Sequence, residues 1–280
     1  MKLKNIIYTL LIAISLLSCE DKIVEFDMPD DSTKLAVFGF LSPGDTITSI
    51  YVGTLSPIVG KYLPQKIIDK ALVKITHKQK EYVLNFDESC KAYNIKSNQL
   101  EIKAGETYSL QVSLDGYQTV NSTITVIEGE NKSLEFDKFI KRTRNYEEQL
   151  VLAVKWKDNP DRKNYYALAM DVSSANIYDS DAFEQNPKMI MYDDENWNGK
   201  EKYSKDLYLQ GYRDEAEIQI ALINADEHYY MYHKKALEQD KYAENPFAEP
   251  IINYSNIENG VGVFCSYTKQ IIRLKWKNDE

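Results

Sequence analysis

The sequence predicts a mainly β protein: two antiparallel β-sandwich-like domains, the second with one helix near its C-terminal part. Three observations predict it. Short segments alternate apolar and polar residues with a period of two and are bounded by Gly, Pro, Asn or Asp. One run near residue 230 has helical spacing instead. Helices do not alternate with strands as in a βαβ fold, and neither a Rossmann glycine fingerprint nor a P-loop is present.

The chain opens with an export signal. Lys2 and Lys4 precede an apolar run of 12 residues, Ile6 to Leu17. A bilayer-spanning helix needs about 20 residues, so this run is too short to be one. Leu16-Leu17-Ser18-Cys19 resembles a bacterial lipobox, in which the Cys thiol is acylated and becomes the new N-terminus. Cys19 is therefore the expected lipid attachment point, and residues 1–18 the signal peptide. Removing them leaves 262 residues and moves the formal charge from −9 to −11. That acidity argues against a nucleic-acid partner.

Residues 19–33 are acidic and read as a tether. KLAVFGF opens the first domain, expected over 34–127 as an immunoglobulin-like or prealbumin-like sandwich. SPGD is a turn and ITSIYVGT a strand. SPIVGKYLPQKIIDKA reads as a long loop with two Pro. ALVKITHKQKEYVLNF gives two strands about HKQK, and KAYNI a short one. Tyr108, Leu110, Val112 and Leu114 alternate with polar residues, Asp115-Gly116 turns, and Tyr117 to Val126 returns. The charge-rich residues 128–146 read as a linker.

The second domain, 147–280, begins with EEQLVLAVKWKD, whose Leu150, Leu152, Val154 and Trp156 share a face. YYALAMDV, DLYLQGY and EAEIQIALI are further strands. ADEHYYMYHKKALEQDK contains no Gly or Pro and predicts a helix over about 226–239, capped by Asn224 or Asp226. The last strand is QIIRLKW.

Chemistry-bearing residues are sparse. His77, His228 and His233 are the three histidines. His77 lies at a hairpin turn and is expected to face solvent. His228 and His233 are five apart, a poor match to one helical face, and no HExxH or GxSxG pattern occurs. Cys90 and Cys265 are far apart in sequence and read as isolated thiols or one disulfide. No cofactor pattern is present. Asp194, Asn196 and Asn198 match the start of a calcium loop, but Lys205 holds the place of the bidentate Glu. A tight turn with left-handed Asn198-Gly199 is the competing reading. Tyr229, Tyr230, Tyr232 and His233 place four rings on the helix. Four such neighbours are not expected all to face inward, so they form a candidate partner or ligand surface.

NPFAEPIINYSNIENGVGVF is similar to the closing signature of the DUF4249 family, a group of Bacteroidota lipoproteins. The matching residues are Pro246, Phe247, Pro250, Ser255, Asn256, Ile257, Gly260, Gly262 and Phe264. The similarity extends to the helix, DDENWNGK, KLAVFGFLSPGD, AGETYSLQV and the lipobox. The residues themselves look structural: glycines for close approach, Phe264 as an anchor, Asn256 bonding backbone across a bend. The resemblance implies a non-enzymatic outer-membrane lipoprotein, with a TonB-dependent transporter as possible partner and a nutrient or glycan as possible ligand. Glu20 and Asp21 behind Cys19 resemble a signal for display on the cell surface. A surface adhesion or structural protein, and a hydrolase using dispersed carboxylates, are the alternative readings.

Overall fold

The computed structural model describes residues 34–54, 66–129, 133–144, 147–173, 189–209, 215–242 and 254–277. Cys19, Pro246, Phe247 and Pro250 lie outside the described residues. In chain order the elements are β1 (Leu35–Leu41), β2 (Ile47–Thr54), β3 (Leu72–His77), β4 (Lys80–Asp87), β5 (Ala92–Lys96), β6 (Thr107–Ser113), β7 (Val120–Thr125), β8 (Glu135–Arg144), β9 (Glu147–Lys157), β10 (Tyr165–Ser173), β11 (Met189–Asp193), β12 (Glu201–Tyr203), β13 (Leu207–Leu209), β14 (Glu215–Ala225), α1 (Glu227–Tyr242) and β15 (Val261–Lys277). The protein is mainly β, with two sheets and one helix among the described residues.

The larger sheet has 11 strands in the order β11-β10-β14-β15-β1-β2-β5-β4-β3-β6-β7. The smaller has four: β12 and β13 pair one edge of β9 in succession, and β8 pairs the other. Among the described strands β1 and β15 run parallel, and the remaining pairings are antiparallel. The expected halves therefore share a sheet, joined where β1 meets β15.

Three apolar clusters follow from this layout. The first lies among β1–β7 and includes Val37, Ile50, Val73, Tyr108, Leu110 and Phe264. The second lies between the smaller sheet and β10, β14 and β15, around Trp156, Tyr166 and Leu222. The third sits under α1. Alternation along β1 divides its side chains between two of them. Leu35, Val37 and Leu41 enter the first, whereas Phe38 and Phe40 pack on the third.

Two expectations are corrected. Residues 128–146 are not simply a linker, because β8 occupies Glu135–Arg144 and pairs along β9. A register shift between Phe136 and Lys138 breaks its period, and its charges suit a strand with one open edge. The last strand also begins earlier than QIIRLKW. Residues 262–266 are buried without a break, because both faces of β15 are covered there. Alternation returns only after Thr268. A stretch without a two-residue period gave no signal of belonging to the same strand.

The lead-in to β15 closes the first cluster. Glu258 N–H donates to Asn121 O (2.9 Å) and Asn121 N–H to Glu258 O (3.3 Å), adding a bridge to the edge of β7. Ser122 Oγ donates to Asn256 O (2.9 Å). The chain then turns into β15 through Gly262 at φ +115°, where a Cβ would stand 2.0 Å from Val37 O. That clash is with backbone, so no side-chain movement relieves it. Gly262→Ala is expected to cost about 3 kcal/mol or more, while Gly44→Ala, at φ +89° with open space around it, costs about 1 kcal/mol. Urea denaturation of the two variants against the parent measures the contrast.

Candidate functional site

Helix α1 begins at a cap that the sequence placed. Asp226 Oδ1 accepts from Tyr229 N–H at 2.8 Å, the geometry of an N-cap. Its other oxygen accepts from Ser266 N–H (2.6 Å) and Ser266 Oγ (2.9 Å) on β15. Burial pushes the Asp226 carboxyl up, and these hydrogen bonds oppose it. Asn224, the other candidate cap, is buried two residues earlier, near the end of β14.

The four rings that form the candidate partner or ligand surface all find neighbours within the protein. Tyr229 packs against Phe40, Tyr267 and His233, with centroids 6.0, 5.7 and 4.3 Å away. Tyr230 stacks on Tyr165 at 4.6 Å and donates its hydroxyl to Asp193 Oδ2 at 2.9 Å. Tyr232 meets Phe38 and Phe40, and His233 lies 5.8 Å from Phe40. Tyr229 and Tyr230 are buried, Tyr232 and His233 half-buried. Two rings thus turn fully inward and two keep part of their surface open. At 100° per residue the four positions cover an arc of about 160°, and β1, β15, β10 and β11 together receive it. Burial lowers the His233 imidazole to about 4 and raises the Tyr229 phenol well above its ordinary value.

A polar seam lies beside this cap on the opposite face of β15. Ser266 Oγ accepts from Ile127 N–H (3.0 Å), Thr268 Oγ1 donates to Gly129 O (3.3 Å), and Gln270 Oε1 accepts from Leu134 N–H (2.9 Å). Three side chains at a two-residue spacing thus hold the backbone of the segment that joins the two expected domains. The seam leaves no mark in the sequence, since Ser, Thr and Gln in a strand carry no motif.

Asp194, Asn196 and Asn198 do not converge. Asp194 is buried, and its Oδ2 accepts from Asn164 N–H (2.7 Å) and Nδ2 (3.3 Å), while Asn196 and Asn198 are exposed. Gly199 is left-handed at φ +71°, Asn198 is not, and Gly199 N–H donates to buried Asp158 at 2.7 Å. Asp158 also accepts from Tyr166 Oη at 2.6 Å. The turn is thus clamped to the 158–164 loop by carboxylates that hold protein donors. Among the described residues no group of three His, Cys, Asp or Glu side chains is placed to hold a metal.

The remaining reactive groups stay apart. His77 does not face solvent as expected. It stacks on Tyr108 at 4.4 Å, with Nε2 2.5 Å from Glu106 Oε2, because the hairpin turn starts one residue later and His77 still belongs to β3. His228 Nδ1 lies 2.5 Å from Tyr254 Oη. Cys90 and Cys265 are free thiols. Cys90 is exposed, and burial raises the Cys265 thiol far above its usual range, which keeps it protonated and unreactive.

The closing signature is structural throughout its described part. Asn256 Nδ2 donates to Phe264 O (2.7 Å) and its Oδ1 accepts from Phe264 N–H (2.9 Å). One amide side chain thus pairs both backbone groups of the fully buried Phe264, as a neighbouring strand would. Ser255 Oγ accepts from Ile257 N–H at 3.2 Å, and Ile257 fills the first cluster. At Gly260 a Cβ would meet Val120 Cγ1 at 2.3 Å. A family model described as "Domain of unknown function (DUF4249)" matches residues 21–273. The chain belongs to the DUF4249 family. No curated protein matches it. In this DUF4249 chain the signature binds the lead-in of β15 to β7 and β1.

His233 makes the helix packing sensitive to acid. Unfolded, the imidazole titrates near 6.5; folded, it stays neutral down to about 4. The unfolded state therefore binds more protons between these values. The His233 contribution is complete above about pH 6.5 and is lost as pH falls towards 4. Asp226, with its raised carboxyl, acts in the opposite direction, so the comparison must be differential. Thermal melts from pH 4 to 7.5 should show a shallower fall in Tm for His233→Leu than for the parent, with the curves diverging below about pH 6.5. Parallel curves would remove this role.

Proposed function

We propose that this protein is a non-enzymatic cell-envelope lipoprotein, held at the outer membrane by lipid on Cys19 and displayed on the cell surface. There it serves as an accessory or ligand-binding partner of a TonB-dependent transporter. The observation that carries the reading is the pairing of LLSC after a short apolar run with an acidic tether leading to a folded β body. Family membership is consistent with an envelope-associated protein. The internal chemistry supports a binding rather than a catalytic role. Buried carboxylates Asp158, Asp194 and Asp226 accept hydrogen bonds from backbone and neighbouring side chains, so none is poised as a free acid or base. The histidines lie in separate environments: His77 against Glu106, His228 against Tyr254, His233 among aromatic rings.

Cys19→Ser should abolish incorporation of a labelled fatty acid and shift the protein from the membrane to the soluble fraction. The parent, extracted in mild detergent, should carry an outer-membrane transporter through successive purification steps. A lipidated protein that always emerges alone removes the transporter role and leaves the anchor standing.

A further inference from the structure

The register of β1 shows where the tether enters the folded body. Leu35, the first residue of β1, pairs with Thr54, the last of β2, and Ala36 pairs with Val261, the first of β15. Three strand ends therefore meet where the chain arrives from Cys19. The 15 residues between Cys19 and Leu35 can span at most about 50 Å, which bounds the distance from this end to the acyl chains.

Two large apolar side chains stand exposed beside that entry. Tyr51 is 44% exposed and Ile67 49%. Ile67 forms a bridge with Gly53, and Ile68 N–H donates to Val52 O at 3.0 Å, so this short segment runs along the open edge of the β2 end. Tyr51 and Ile67 are then diagonal neighbours on one face, about 7–8 Å apart. Tyr51 also lies opposite half-buried Phe38, which continues the apolar surface across β1. Lys66 is exposed next to Ile67. An aromatic ring with a polar tip, an aliphatic side chain and a flanking lysine suit the boundary between headgroups and acyl chains.

β15 provides the opposite reference point. It runs parallel to β1 away from the entry, and Ile271 lies ten residues past Val261, about 33 Å further along. Ile271 is exposed and belongs to the same face of the sheet as Val263 and Cys265. It is apolar and accessible, but remote from the tether.

We infer that the entry end of the body rests on the lipid bilayer, with Tyr51 and Ile67 seated at its headgroup–acyl boundary, and that the β14–β15 end points away from the membrane. The inference rests on the lipoprotein reading of Cys19. The occupant of the patch is the bilayer that holds the protein's own acyl chains. The orientation leaves the distal part of the sheet and the smaller sheet free for protein partners.

The test uses the full lipidated chain with Cys90→Ser, which removes the exposed thiol and leaves buried Cys265 unlabelled. Tyr51→Cys, Ile67→Cys and Ile271→Cys are each coupled to a polarity-sensitive fluorophore. The proteins are reconstituted on vesicles of phosphatidylethanolamine and phosphatidylglycerol with no other protein present. Labels at 51 and 67 should shift to the blue and brighten by about two-fold or more, while the label at 271 stays unchanged. Flotation with the vesicles but no response at 51 and 67, or an equal response at 271, overturns the orientation and leaves the anchor intact. Failure of the acylated chain to float overturns the anchor and this inference with it. Circular dichroism of each labelled protein confirms that the fold is retained, as expected for substitutions at exposed positions.

Discussion

Strand β15 pairs with β1 along one edge and β14 along the other, and the rest of the structure hangs on that arrangement. Its first six residues lie against β1, and residues 267–277 pair with β14 through 11 positions. Its side chains serve three apolar clusters: Phe264 the first, Val263 and Cys265 the third, Ile272, Leu274 and Trp276 the second. At about 1 kcal/mol per net hydrogen bond the ladder alone is a modest term. Its importance comes from cooperativity. Loss of β15 would expose one wall of every cluster at the same time, so none of them can be treated as an independent core.

The parallel pairing of β1 with β15 joins strands separated by more than 200 residues of chain. Such a contact is slow to form, because the loop entropy comes before the reward. The DUF4249 signature acts on this step. Asn256 occupies both backbone groups of Phe264, Glu258 bridges to β7, and the glycine at 262 lets the chain pass against Val37. These contacts fix both the position and the direction in which β15 starts. A one-residue slip would send Phe264 to the α1 face and Cys265 into the first cluster. Register control accounts for the described part of the signature, Ser255 to Phe264.

Much of the β architecture was legible because half-buried strands write their environment as alternation. Tyr108, Leu110 and Val112 in β6 are the clear case, and the Asp115-Gly116 turn fixed their partner. The helix was legible from its spacing and its cap, and ends at Tyr242 rather than near 239. What the pattern concealed had definite physical causes. Residues 262–266 are covered on both faces and so lack a period. The charged β8 is an edge strand with a bulge, and its composition resembles a linker. The direction of the helix rings was illegible for a different reason. Their packing depends on Phe38 and Phe40, which arrive from nearly 200 residues earlier, and on a sheet wide enough to receive both flanks of α1. His77 was misread because a turn residue and the last residue of a strand look alike in sequence, while its stacking on Tyr108 is a cross-strand contact.

The polar seam explains why the first and second clusters stay separate although they share β15. Along its inner face the order is Phe264, Ser266, Thr268, Gln270, Ile272, so apolar side chains flank three polar ones. Apolar residues at those three positions would merge the clusters, but they would leave Ile127 N–H, Gly129 O and Leu134 N–H to find other partners. Leu134 is buried and Ile127 half-buried, so leaving their N–H groups unpaired costs about 1–3 kcal/mol each, comparable with the gain from burying an apolar side chain there, while exposed Gly129 can turn its carbonyl to water. The polar choice is therefore close to neutral in energy. Its effect is on specificity: three bonds at a fixed spacing accept the connecting segment in one register only. Asp226 extends the same logic to the helix, since the serine that holds Ile127 also meets the cap of α1. The start of the connector, the cap of the helix and the central strand thereby meet at Ser266, which ties together parts whose apolar clusters are separated by polar side chains.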